Sequence, residues 1–99
     1  MRLAFEKKVL SWSGAAAKKM FGCPCYKVNG KLFAFLVTDG LVLTRLESHD
    51  RSRLARNIAI TLFKAGNRII KIWPRIPLIS AKDMTRAVSL AKKSYVNAV

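Results

Sequence analysis

The chain has 99 residues, with 19 Lys+Arg against 5 Asp+Glu and a formal net charge of +14 at pH 7. That length suits one compact domain and leaves no room for a second of ordinary size. Hydrophobic residues make up 52% of it, which excludes a disordered basic tail, because such tails lack the apolar surface a core needs. The longest uninterrupted apolar run, Leu32 to Val37, falls far short of the roughly 20 residues of a membrane-spanning helix. Glu6, Lys7 and Lys8 break the N-terminal stretch before the apolar region of a secretory leader could form. The expectation is a single domain over residues 1–99, cytoplasmic and with no membrane partner.

Leu3, Phe5, Val9, Leu10 and Trp12 fall at loosely helical spacing, predicting a first helix over Arg2 to Trp12 that Ser13-Gly14 stops. From Ala17 to Val28, Phe21, Cys23, Cys25 and Tyr26 mix with Gly22 and Pro24. Pro24 would break a helix and is tolerated on an edge strand, so the segment reads as one extended, bent strand. Val28-Asn29-Gly30-Lys31 carries the type I′ hairpin signal, because Asn-Gly supplies positive φ at both central positions cheaply. Lys31 to Val37 follows as a strand, Thr38-Asp39-Gly40-Leu41 as a second turn of the same chemistry, and Leu41 to Leu46 as the third strand of a meander.

Ser48 then reads as a helix cap with Asp50 in the first turn, and Leu54 and Ile58 form an apolar stripe in a helix ending near Ile58. Ile60 to Phe63 is a short strand, Ala65-Gly66-Asn67 a turn, Arg68 to Trp73 a strand, and Pro74 and Pro77 bracket an irregular exit. Ser80 opens the last helix as Ser-Ala-Lys-Asp, an aspartate variant of the capping box. Met84, Val88, Ala91 and Tyr95 make its buried face, while Lys82, Arg86, Ser89 and Lys93 repeat the same spacing on a polar face. The order is α-β(3)-α-β(2)-α, an α+β fold with an antiparallel sheet and helices packed on it.

At Met20-Phe21-Gly22, Tyr26, Gly30-Lys31-Leu32-Phe33-Ala34 and Asp39-Gly40-Leu41-Val42-Leu43, the chain resembles the TfoX N-terminal domain family. Trp73-Pro74 before the last helix and Ser94-Tyr95 near its end are also similar to the related MmcQ/YjbR-like proteins. The resemblance spans residues 18 to 98 and implies the same α-β(3)-α-β(2)-α order. It implies a non-enzymatic protein, since relatives regulate competence or are described as DNA-binding, and it brings no active-site residues with it. The sequence departs from the family at Cys23-Pro24-Cys25, where glycine often follows Met-Phe-Gly.

The residues themselves offer little for catalysis. His49 is the one histidine, and with five scattered acids no triad, carboxylate pair or phosphate loop can be assembled from the pattern. Cys23 and Cys25 are too closely spaced for a usual zinc pair, and a disulfide between them would be strained. In a strand both point to one face and serve as small apolar core residues; a metal or redox role for them is the alternative. No cofactor is expected.

The cations remain. A surplus of this size favours polyanions, nucleic acid first and DNA before RNA. Lys18 and Lys19, then Arg51, Arg53 and Arg56 on the second helix, then Arg68, Lys71 and Arg75 near Trp73, form three groups suited to phosphate. Trp73 is either a base-stacking platform or core. The competing readings of the charge are a solubilising face and a module docking on an acidic protein or pairing with itself.

Overall fold

The computed structural model describes residues 2–20, 22–57, 61–65 and 67–99, and the side chains of these except Asn57, Ala65 and Lys71. The elements are α1 (Arg2–Leu10), β1 (Ala15–Met20), β2 (Cys23–Val28), β3 (Lys31–Val37), β4 (Gly40–Leu43), α2 (Ser48–Asn57), β5 (Thr61–Ala65), β6 (Arg68–Pro77) and α3 (Ala81–Ala98). Among the described residues the strands form one six-stranded antiparallel sheet in the order β1-β2-β3-β4-β6-β5. The α+β class with an antiparallel sheet is as expected, but the order is α-β(4)-α-β(2)-α.

The additional strand comes from the segment read as one bent strand. Gly22 takes φ +76, the left-handed region that glycine enters without strain, and reverses the chain so that Met20 pairs with Cys23 and Ala15 with Val28. The Asn29-Gly30 turn is as read, with φ 53 and 75. The second turn differs. Only Asp39 is left-handed there, while Gly40 pairs with Val37 and belongs to β4. Clearance is tight at that position: a Cβ would meet Arg75 Nε at 3.0 Å and the Ile76 carbonyl oxygen at 3.1 Å, so a larger residue would require its neighbours to give by a few tenths of an ångström.

A bulge in β3 sets which side chains face which way. Tyr26 pairs with Ala34 and Lys27 with Leu32, so Phe33 is the extra residue and shares the helical side with Ala34. That side buries Phe5 and Val9 of α1, Leu54 of α2, and Ala87, Ala91, Tyr95 and Ala98 of α3 against Tyr26, Phe33, Leu41, Leu43 and Ile76. Small residues at Ala87, Ala91 and Ala98 let α3 approach the sheet closely, so Met84 and Val88 sit at its margin, half-buried, where the sequence pattern had centred the face. The opposite side carries a strand-only cluster. Cys25, Phe35 and Val42 are buried there, and Phe63 and Trp73 of the β5–β6 hairpin pack on Phe35 with ring centroids 4.9 and 5.7 Å away.

Side-chain hydroxyls fasten α3 to the sheet. Ser94 is fully buried, donates to the Phe33 carbonyl at 2.6 Å and accepts from the Arg45 N–H at 3.0 Å. Tyr95 donates to the Ser13 carbonyl and stacks near Trp12 and Phe33. The expected capping box is complete: Asp83 N–H donates to Ser80 Oγ, and Ser80 N–H donates to the Asp83 carboxylate.

Two further boundaries shift. Ser48 is the first helical residue of α2, and the Glu47 carbonyl accepts the Arg51 N–H at 3.0 Å, so Glu47 stands at the cap position. The expected end at Ile58 and strand start at Ile60 lie outside the described residues. The stretch after Trp73 is strand, because Arg75–Pro77 pairs with Val42–Gly40 of β4. Pro74, which has no N–H to give, coincides with the register irregularity at Leu62/Phe63. Among the described residues no helix is long and apolar enough to cross a membrane.

Candidate anion-binding groove

α2 forms because Asp50 opposes the helix dipole in its first turn and Arg56 in its last. Leu54 is buried in the core and fixes which side faces the sheet. The Arg51 guanidinium then donates to the Leu46 carbonyl at 2.7 Å, tying the helix to the preceding loop. Asp50 is 8% exposed and accepts from Lys93 Nζ at 3.2 Å, which joins α2 to α3.

These fastenings leave a groove between α2 and α3 with a volume of about 500 Å³. Arg53 contributes from one helix and Lys82, Arg86 and Lys93 from the other. Leu54, Leu90 and Ser89 line the same groove. Lys93 is held by Asp50, and Arg86 lies 3.8 Å from Asp83. The backbone N–H groups of Ile79 and Ser80 hold the Asp83 carboxyl below its ordinary range, so it stays ionised beside Arg86. Arg53 and Lys82 have no carboxylate at ion-pair distance among the described residues.

The cations singled out in the sequence do not converge on one place. Arg53 lines the groove, and Arg56 is exposed near the end of the same helix. Arg51 and Arg75 are engaged with backbone carbonyls, Arg75 with that of Thr38 across the β3–β4 turn. Lys18 and Lys19 lie on the edge strand β1 and, with Arg2 and Glu6, line a separate recess of about 230 Å³. Arg68 is exposed at the start of β6, and the side chain of Lys71 lies outside those described. The cations that complete the groove, Lys82, Arg86 and Lys93, are three of the four residues on the polar face of α3. Their helical spacing was the available signal; their meeting with Arg53, itself singled out on the second helix, was not, because only packing brings α2 beside α3.

The other candidates separate. His49 is exposed at the start of α2, 3.4 Å from Glu47 and 3.5 Å from Asp50. Cys25 is buried in the strand-only cluster, and Cys23 is half-buried on the same strand. Among the described residues no three His, Cys, Asp or Glu side chains gather to hold a metal ion. Trp73 packs against Phe35 and Phe63 in edge-on and tilted contacts, as a core aromatic does. No protein-family model matches this chain, and no curated protein matches it significantly.

Proposed function

We propose that this chain is a non-enzymatic nucleic-acid-binding protein of regulatory type, akin to the TfoX N-terminal domain, working in the cytoplasm. The observation that carries the reading is the convergence of Arg53, Lys82, Arg86 and Lys93 on one groove. Four cations against the carboxylates of Asp50 and Asp83 leave a net positive site that favours polyanions, and the rest of the +14 surplus steers them there. Lys18, Lys19, Arg56 and Arg68 add exposed charge for phosphates beyond the groove. Arg51 and Arg75 contribute field more than contact, since their guanidinium groups already serve backbone carbonyls.

The test is titration of a fluorescent duplex and a single strand at about 50 and 200 mM salt. Four neutralised phosphates predict a loss of affinity on the order of a hundredfold across that range. Replacing Arg53 and Lys82 by Glu is expected to weaken binding at low salt by about tenfold or more. Absence of binding at low salt, or an affinity indifferent to salt, overturns the reading.

A second reading, self-pairing, is favoured by the β5–β6 hairpin. Leu62, Ile69 and Ile72 on it are 41%, 55% and 54% exposed, and among the described residues β5 is an edge strand of the sheet. Its signature is a doubled mass in solution.

A further inference from the structure

We propose that the α2–α3 groove seats a nucleoside phosphate, its ring laid on Leu54 and Leu90 and its phosphate held by the surrounding cations. The inference rests on the nucleic-acid reading above and narrows it to an unpaired nucleotide. Phosphate neutralisation asks only for exposed cations and gains nothing from an apolar floor. Here two leucines, one buried and one half-buried, line the groove together with its cations.

The groove's volume of about 500 Å³ lies inside the range of roughly 300–1,000 Å³ typical of small-molecule sites. An amphipathic acidic helix is the competing occupant, and it needs apolar anchors at i, i+3, i+4 and i+7. Two leucines supply too few seats for that row. They suffice for one planar ring.

The polar groups divide by role. Arg53 and Lys82 have no carboxylate at ion-pair distance among the described residues and are available to a phosphate. Arg86 and Lys93 are steadied by Asp83 and Asp50. Lys82 and Lys93 stand about 16 Å apart along α3, from eleven residues at 1.5 Å each. Toward the Lys93 end, the Asp50 carboxylate can accept from an exocyclic amino group and the exposed Ser89 hydroxyl can bond a ring heteroatom. Seating a base this way means taking it out of its stack, which costs a few kcal/mol in a duplex and little in a single strand. The groove therefore prefers unpaired strands.

The experiment uses the full chain and a labelled single-stranded 12-mer, against a duplex of equal length, at about 0.1 M salt. Burial of one ring face predicts about a tenfold preference for the single strand. Leu90→Asn removes half of the apolar seat and leaves every cation in place, so it should lower single-strand affinity more than duplex affinity and shrink that preference. Competition on the unaltered chain keeps the test independent of that variant's folding. A mononucleotide should displace the strand at concentrations where inorganic phosphate and a Glu-rich peptide do not. Displacement by the mononucleotide at strand-like concentrations assigns a free nucleotide as the source, and displacement only at far higher ones assigns nucleic acid. Equal affinity for strand and duplex, or competition by the peptide ahead of the mononucleotide, overturns the proposal while leaving phosphate binding intact. Failure of both strand and duplex to bind removes the parent reading with it.

Discussion

Tyr26 is the largest side chain that the core encloses completely, and its hydroxyl finds no hydrogen-bond partner among the described residues. Its ring meets Phe5 edge-on at 5.8 Å, so the aromatic body is well placed while the polar tip is not. Burial, with Glu6 adding to it, raises the phenol's pKa above the ordinary value. A folded-state value above the unfolded one means that stability is intact below about pH 10 and declines as pH rises beyond it. Tyr26→Phe removes the unpartnered hydroxyl and keeps the ring. The expected outcome is a gain of about 1 kcal/mol in unfolding free energy at pH 7 and a flatter alkaline limb, read from urea titrations at pH 7 and at about pH 10.5. A clear loss of stability at pH 7 would show instead that the hydroxyl is bonded. The sequence marked Tyr26 as apolar material for a strand, but its depth follows from α1 lying over β2, a contact between distant segments.

At the scale of elements, the most local features were the most legible. The capping box of α3 depends on four consecutive residues, and each of its bonds is present. The Asp83 carboxyl is lowered by the backbone N–H groups of Ile79 and Ser80, so its contribution to stability is present above the ordinary carboxylate range and lost as pH falls. Asp83→Ala is therefore expected to lower the melting temperature at pH 7, with the two melting curves drawing together as pH falls below the ordinary carboxylate range. Curves that stay apart at acid pH would assign the effect to something other than this carboxylate. The β1–β2 hairpin was not legible in the same way. Ala-Ala-Ala-Lys-Lys-Met has no alternation and little strand propensity, and it is strand only because β2 offers a partner along its whole length. The far half of β6 is similar: Pro74 and Pro77 argue locally against a strand, and pairing with β4 overrides them.

At the scale of the whole molecule, the +14 charge opposes any second copy at low salt and favours a polyanion. Salt reverses that balance, because screening weakens phosphate contacts and repulsion alike and leaves apolar burial untouched. Sedimentation at about 0.05 and 0.5 M salt separates the two readings, since the Debye length shrinks severalfold between them. Self-pairing through Leu62, Ile69 and Ile72 predicts twice the 11.1 kDa chain mass at high salt, abolished by Ile69→Glu. A monomer at both salts removes that reading.

The α+β class, the Asn29-Gly30 hairpin, the α3 cap and the basic character were written in local residue order, because turns, caps and charge depend on neighbours along the chain. So was the polar face of α3 that carries Lys82, Arg86 and Lys93. Its meeting with Arg53 was not, nor was the diversion of Arg51 and Arg75 to backbone carbonyls. Those depend on α2 being drawn to α3 by Leu54 and by the Asp50–Lys93 pair, 43 residues apart in sequence. A groove between two helices exists only once each has buried its other side.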